Sequence, residues 1–105
     1  MIVSITKIQL KSISTLFSFF KMNSQIINEL KQSQCRKFKT SGSLNLKNWY
    51  TMTLWESEND LNAFYRSGKH LEAMKRSKIF SSGIQSRRIE KEELLSWSEA
   101  KKLFA

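Results

Sequence analysis

An α+β fold of order βαββαβ, the ferredoxin-like arrangement, closed by a C-terminal helix, is predicted by three features of the sequence. The first is Asn48 to Met74, NWYTMTLWESENDLNAFYRSGKHLEAM, in which a β-type run passes directly into a capped amphipathic stretch. Trp49, Thr51, Thr53 and Trp55 point one way and Tyr50, Met52 and Leu54 the other, because strand side chains alternate with period two. A strand without a solvated face belongs to a sheet covered on both sides. The second feature is a β-rich start followed by apolar residues at helical spacing. The third is Ser96 with Glu99, an S-x-x-E capping box that opens a last helix. At 105 residues the chain is read as one domain, residues 1–105.

In order, Ile2 to Leu10 is the first strand, with Met1, Val3 and Ile5 on one face and Ile2, Ile8 and Leu10 on the other. From about Ser12 to Ser33, Ile13, Leu16, Phe17, Phe20, Ile27 and Leu30 recur every three or four positions, and Phe19, Met22 and Ile26 widen the stripe. This predicts a long helix lying on the sheet. Cys35 to Leu44 alternates around Phe38 and carries basic side chains, as an exposed or edge strand does. Gly42, Asn45 and Asn48 mark the turn of a hairpin into the third strand. Ser57 with Asp60 resembles a capping box, and Leu61, Phe64 and Tyr65 form the buried face of the helix it opens. Gly68 lets that helix end or bend, and a second short piece runs through Leu71 and Met74 to about Arg76. Ser81-Ser82-Gly83 reads as a loop, Ile84 to Glu90 as the fourth strand, and Trp97, Ala100, Leu103 and Phe104 as the apolar face of the terminal helix. The helices suffice for one sheet face, so the other calls for a second copy of the sheet or a flat ligand surface.

Composition narrows the function classes. Hydrophobic residues make up 40% and charged residues 26% with no proline, the balance of a globular chain. The single cysteine, Cys35, leaves no internal disulfide and no cysteine metal cluster, which fits a reducing cytoplasm. Lys7 and Lys11 ahead of Ile13 to Phe20 mimic a signal peptide, but no small-residue cleavage site follows. No apolar run reaches transmembrane length, so no membrane partner is expected. The net charge of +9 and the acid-free stretch 31–47 form a basic flank, read as a solvated face. There is no glycine-rich phosphate loop, no HExxH and no carboxylate pair at an active-site spacing.

The run Tyr50-Thr51-Met52-Thr53-Leu54-Trp55-Glu56-Ser57, with Ala63-Phe64, Ser67-Gly68, His70 and Ala73-Met74, resembles the dimeric α+β barrel superfamily. Within it the chain is most similar to antibiotic-biosynthesis-monooxygenase-like proteins, and Ser96 to Ala100 resembles their tail. The resemblance implies a homodimer with two sheets packed face to face. It also implies a cofactor-independent monooxygenase-like enzyme, or a binder of a small hydrophobic or aromatic ligand. In the haem-degrading branch an asparagine on the first strand works with a tryptophan and a histidine on the following helix. Superposed on Trp55, those helix positions fall at Phe64 and Met74, and Ile2 to Leu10 holds no asparagine, so haem is disfavoured.

Among side chains that carry chemistry, His70 is the only histidine and the candidate general base, with packing at the bend after Gly68 as the competing reading. Trp49 and Trp55 could line a pocket for an aromatic ligand by stacking, or serve core and interface packing. Phe64, Tyr65 and Met74 extend that wall. Arg87 and Arg88, on opposite faces of the fourth strand, offer one guanidinium to an anionic ligand group, or an ion pair with Glu56 or Glu90. Cys35 beside Arg36 and Lys37 is either a thiol of lowered pKa or a small hydrophobe. Two rivals stand beside the enzyme: a non-catalytic structural or stress protein, and an RNA-binding module of the same βαββαβ order. Lys47 to Leu54 fits the RNA-domain signature poorly and the first strand has no aromatic residue, so nucleic acid is not the expected partner.

Overall fold

The computed structural model describes residues 1–104, with backbone alone at Gly68 and Lys69. The elements are β1 (Ile2–Leu10), a 3-10 turn (Ile13–Thr15), α1 (Leu16–Gln32), β2 (Lys37–Gly42), β3 (Asn48–Trp55), α2 (Glu58–Tyr65), α3 (Gly68–Phe80), β4 (Ser81–Glu90) and α4 (Trp97–Lys102). They build a four-stranded antiparallel sheet in the order β2-β3-β1-β4. The expected βαββαβ order with a terminal helix is present.

β1 is central. It pairs with β3 from Ile2↔Trp55 to Gln9↔Asn48 and with β4 from Ile2↔Glu90 to Gln9↔Gly83, with a register shift at Gln9/Leu10. One face of this sheet carries Ile8, Leu10 and Trp55 against Phe19, Met22, Ile26 and Leu30 of α1, Leu61 of α2, and Ala73 and Phe80 of α3. The helix starts behave as the sequence reads. Ser57 Oγ accepts from the Asp60 N–H at 3.2 Å, and Ser96 Oγ from the Glu99 N–H at 3.2 Å. Each such cap is worth about 1 kcal/mol.

Five local expectations change. The first helix opens with the 3-10 turn, because the Thr15 backbone and side chain both donate to the Ser12 carbonyl and hold a tighter turn there. Its inward stripe is Phe19, Met22, Ile26 and Leu30, whereas Ile13, Phe17 and Phe20 face out. Apolar residues cover more than half of its circumference, so spacing alone admits either rotation. β2 is shorter than Cys35 to Leu44, since Ser43 and Asn45 bond within the turn and Leu46 takes a φ of 62°. α3 runs on to Phe80 rather than stopping near Arg76, and Ser81-Ser82-Gly83 joins β4 instead of forming a loop. The long β1 offers ladder partners to Ser81 and Gly83, and buried Ser77 satisfies its hydroxyl on the Met74 carbonyl at 2.6 Å.

The second sheet face carries Val3, Ile5, Met52 and Leu54, and the chain covers it with its own last segment through Leu95 and Ala100, flanked by Leu94, Trp97 and Phe104. This corrects the premise that the doubly apolar third strand requires a second subunit or a flat ligand. The face on which RNA-recognition domains present aromatics is the one that α4 occupies.

Candidate functional site

Alternation along three strands and the stripes of three helices leave a cavity of about 310 Å³ between the sheet and α1, α2 and α3. Its floor is Thr6 and Ile8 of β1, Thr51, Thr53 and Trp55 of β3, and Ser86 and Arg88 of β4. Asn23, Ile26 and Leu30 close it from α1, and Phe64, Tyr65, His70, Leu71 and Met74 from α2 and α3. The lining is mainly apolar with a few polar groups, the usual make-up of a small-molecule site, and the volume lies at the small end of such sites.

His70 is placed by the N-terminus of α3, where Ser67 Oγ accepts the His70 N–H at 3.4 Å. The residue is 7% exposed, and its ring sits 4.9 Å from the Phe64 ring and 5.0 Å from the Tyr65 ring. Nδ1 is buried and has no hydrogen-bond partner among the described residues. Burial pushes the imidazole pKa below its ordinary value, because the charged form loses hydration and no carboxylate compensates. The ring is therefore neutral near pH 7 and able to accept a proton. An unpartnered buried nitrogen costs about 1–3 kcal/mol.

A second group of polar contacts fixes the cavity wall. The Tyr65 hydroxyl and Ser4 Oγ share a hydrogen bond of 2.9 Å beneath the sheet face. Trp55 Nε1 donates to Thr53 Oγ1 at 2.8 Å, and Thr53 Oγ1 donates to the Ser4 carbonyl at 3.3 Å, so the indole plane is held by β1. At the rim, Arg88 Nη1 donates to Asn62 Oδ1 at 3.0 Å, lies 4.0 Å from Glu58 and stacks 5.5 Å over Tyr65. Among the described residues, no side-chain hydrogen bond engages Asn23, Thr6, Thr51 or the Ser86 hydroxyl, which leaves them open to a ligand.

The structure thus brings His70, Trp55, Phe64, Tyr65, Met74 and Arg88 to one cavity. Trp49 is not there. It faces the same side of the sheet but packs 5.3 Å from Phe19 and 5.1 Å from Phe20, with Nε1 donating to the Leu46 carbonyl. Arg87 lies on the opposite face, where Nε donates to the Leu103 carbonyl at 3.2 Å and the guanidinium covers Phe104. Neither arginine pairs with Glu56 or Glu90; Glu56 is taken by Arg36. Of the two readings of Cys35, the small hydrophobe is the one that agrees with the structure, where it packs against the core. Burial pushes the thiol up, and the neighbouring cations turn away, Arg36 to Glu56 and Lys37 to Glu93. Among the described residues no three His, Cys, Asp or Glu side chains cluster as a metal site, and no helix is long and apolar enough to cross a membrane.

Sequence reasoning missed Asn23, Thr6, Thr51 and Ser86. A signal existed: Thr51 and Thr53 interrupt the inward row of β3 between two tryptophans, and Thr6 interrupts the row of Ile2, Ile8 and Leu10. Small polar residues in an otherwise apolar row mark floor rather than core. Asn23 carries no such signal, because either rotation of α1 was open.

No family model matches the chain, and no curated protein matches it in sequence. Solved structures do match its shape. A conserved protein from Methanosarcina mazei Go1 is 18% identical with a TM-score of 0.79, over 87% of this chain and 92% of that one. An antibiotic biosynthesis monooxygenase is 7% identical with a TM-score of 0.80, over 89% and 100%. SnoaB, a cofactor-independent oxygenase from Streptomyces nogalater, is 4% identical with a TM-score of 0.75, over 88% and 93%. At such identities the likeness speaks for the backbone, and the chain has the ferredoxin-like α+β fold of the antibiotic-biosynthesis-monooxygenase-like proteins.

Proposed function

We propose that the protein is a cofactor-independent monooxygenase-like enzyme acting on a small, flat hydroxyaromatic molecule in the cavity beneath α2 and α3. The observation that carries this reading is an apolar cavity of about 310 Å³ whose lining includes His70 and Arg88. That volume suits one or two fused rings. Neutral His70 removes a proton from the substrate, which leaves an electron-rich anion, and Arg88 at the rim balances its charge. The anion passes one electron to dioxygen, and the radical pair combines to form a C–O bond at the activated ring carbon. Protonated His70 returns its proton to the resulting peroxide anion, and the hydroperoxide, whose carbon still carries a hydrogen, loses water to leave a carbonyl. One oxygen atom stays on the ring and the other leaves as water, so no outside reductant is needed. Trp55, Phe64 and Tyr65 hold the ring plane, and Thr6, Thr51 and Asn23 offer hydrogen bonds to its substituents. Homodimer formation belongs to the same proposal, with Leu103 and the half-buried Trp97 and Phe104 on the second sheet face as the contact.

The test is oxygen uptake by the purified protein with one-ring and two-ring quinols, beside the His70→Ala and Arg88→Gln variants. Loss of the base is expected to lower the rate by about 10²-fold or more. Tight binding without oxygen uptake would leave a binding protein. Neither binding nor uptake would favour a structural role.

A further inference from the structure

The end of the sheet where β1 finishes carries a surface that the cavity does not use. Three segments meet there. The Leu10 N–H donates to the Lys47 carbonyl at 2.7 Å, the Lys11 N–H donates to the Phe80 carbonyl at 2.9 Å, and the Phe20 and Trp49 rings lie 5.1 Å apart. The N-terminal end of α1, the β2–β3 turn and the C-terminal end of α3 are therefore neighbours. Six of the eight exposed large hydrophobic residues sit on these segments: Ile13, Phe17, Phe20, Leu44, Leu46 and Ile79. Phe17 is 83%, Leu44 105% and Ile79 77% exposed, well beyond the scattered exposure of an ordinary surface. The same segments carry the exposed lysines 11, 21, 47, 75 and 78, and the stretches 9–21, 42–49 and 75–84 contain no Asp or Glu.

We infer that this end of the molecule docks on an anionic lipid surface. Aromatic and aliphatic side chains that project singly among lysines match an interface where rings and branched chains enter the acyl boundary and ammonium groups meet phosphates. Charge complementarity selects this occupant. A second copy pressed on the same end would set five lysines against five. A nucleic acid would leave Leu44, Ile79 and Phe17 without an apolar counterpart. Docking here departs from the expectation of no membrane partner, which rested on the lack of a spanning segment; a peripheral surface needs none. It leaves the cavity, on the flank between the helices and the sheet, free.

Co-sedimentation of the full chain with vesicles of phosphatidylcholine alone, or with phosphatidylglycerol added, tests it at about 0.1 M salt. Binding is expected only with the anionic lipid. The triple variant Phe17→Ser, Leu44→Ser, Ile79→Ser is expected to fold normally, since all three side chains are exposed, and to bind at least about tenfold more weakly. Lys11→Glu with Lys47→Glu is expected to lose about fivefold or more for each lysine. The inference is overturned by absent binding to anionic vesicles or by a triple variant that binds as the parent does. An RNA oligonucleotide that outcompetes the vesicles also overturns it, as does a sedimentation coefficient changed by the triple variant, which would make the patch a subunit contact.

Discussion

His70 links burial, protonation and stability. Its pKa is lowered in the folded chain by desolvation, so over the interval between the unfolded and folded values the unfolded state binds more protons. Stability therefore falls as pH drops below the ordinary histidine value, and the loss levels off below the folded one. The His70→Gln variant is expected to lose less stability than the parent between about pH 7 and about pH 5 in urea titrations. Equal losses would show that the ring is no more buried than in the unfolded chain. Any activity that depends on neutral His70 should fall over the same acid limb. Gly42 makes a different kind of residue prediction. A Cβ there would lie 2.7 Å from the Trp49 ring, which packs on Phe19 and Phe20. Gly42→Ala should cost about 1–3 kcal/mol and lower the melting temperature, because the indole must shift against its contacts with Phe19 and Phe20.

Among the elements, the last one turns the sheet into a closed domain. The segment after Glu93 buries Leu95 and Ala100 on Val3, Ile5, Met52 and Leu54, and Lys39 and Lys101 lie over Trp97 and Tyr50. Leu95→Ala should cost about 2–5 kcal/mol, the range for a buried leucine. Truncation after Glu93 should lower the melting temperature by about 10 °C or more, since each kcal/mol is worth about 4–8 °C in a domain of this size. A melting curve that does not move would mean that the segment is free in solution. The helix pair α2 and α3 plays the complementary part on the other face. Ser57 and Ser67 start them separately, and the break after Tyr65 lets α3 place His70 between Phe64 and Tyr65.

On the scale of the whole molecule, charge and apolar exposure are distributed unevenly. The end where β1 finishes is basic and apolar, whereas Glu56, Glu58, Asp60, Glu90, Glu92 and Glu93 gather where β1 begins and its partners end. The homodimer is tested here. Sedimentation equilibrium at micromolar concentration is expected to give twice the mass of 12.3 kDa, and a mass of one chain would overturn the homodimer. Element order, the two faces of β3, the caps at Ser57 and Ser96 and the gathering of His70, Trp55, Phe64 and Tyr65 were legible in the sequence, because period-two alternation and capping are local and each residue carries its own signal. Which side of α1 faces in was not legible, since Phe17 and Phe20 satisfy helical spacing as well as Phe19 and Met22 do. The extent of α3, the pairing of Ser81 to Gly83, the placing of Trp49 and Arg87 away from the cavity and the cover over Val3, Ile5 and Met52 were likewise decided only in three dimensions. Each depends on a partner far away in the chain, the open ladder of β1 or the apolar face that α4 closes, and no local pattern records which distant surface will be free to receive it.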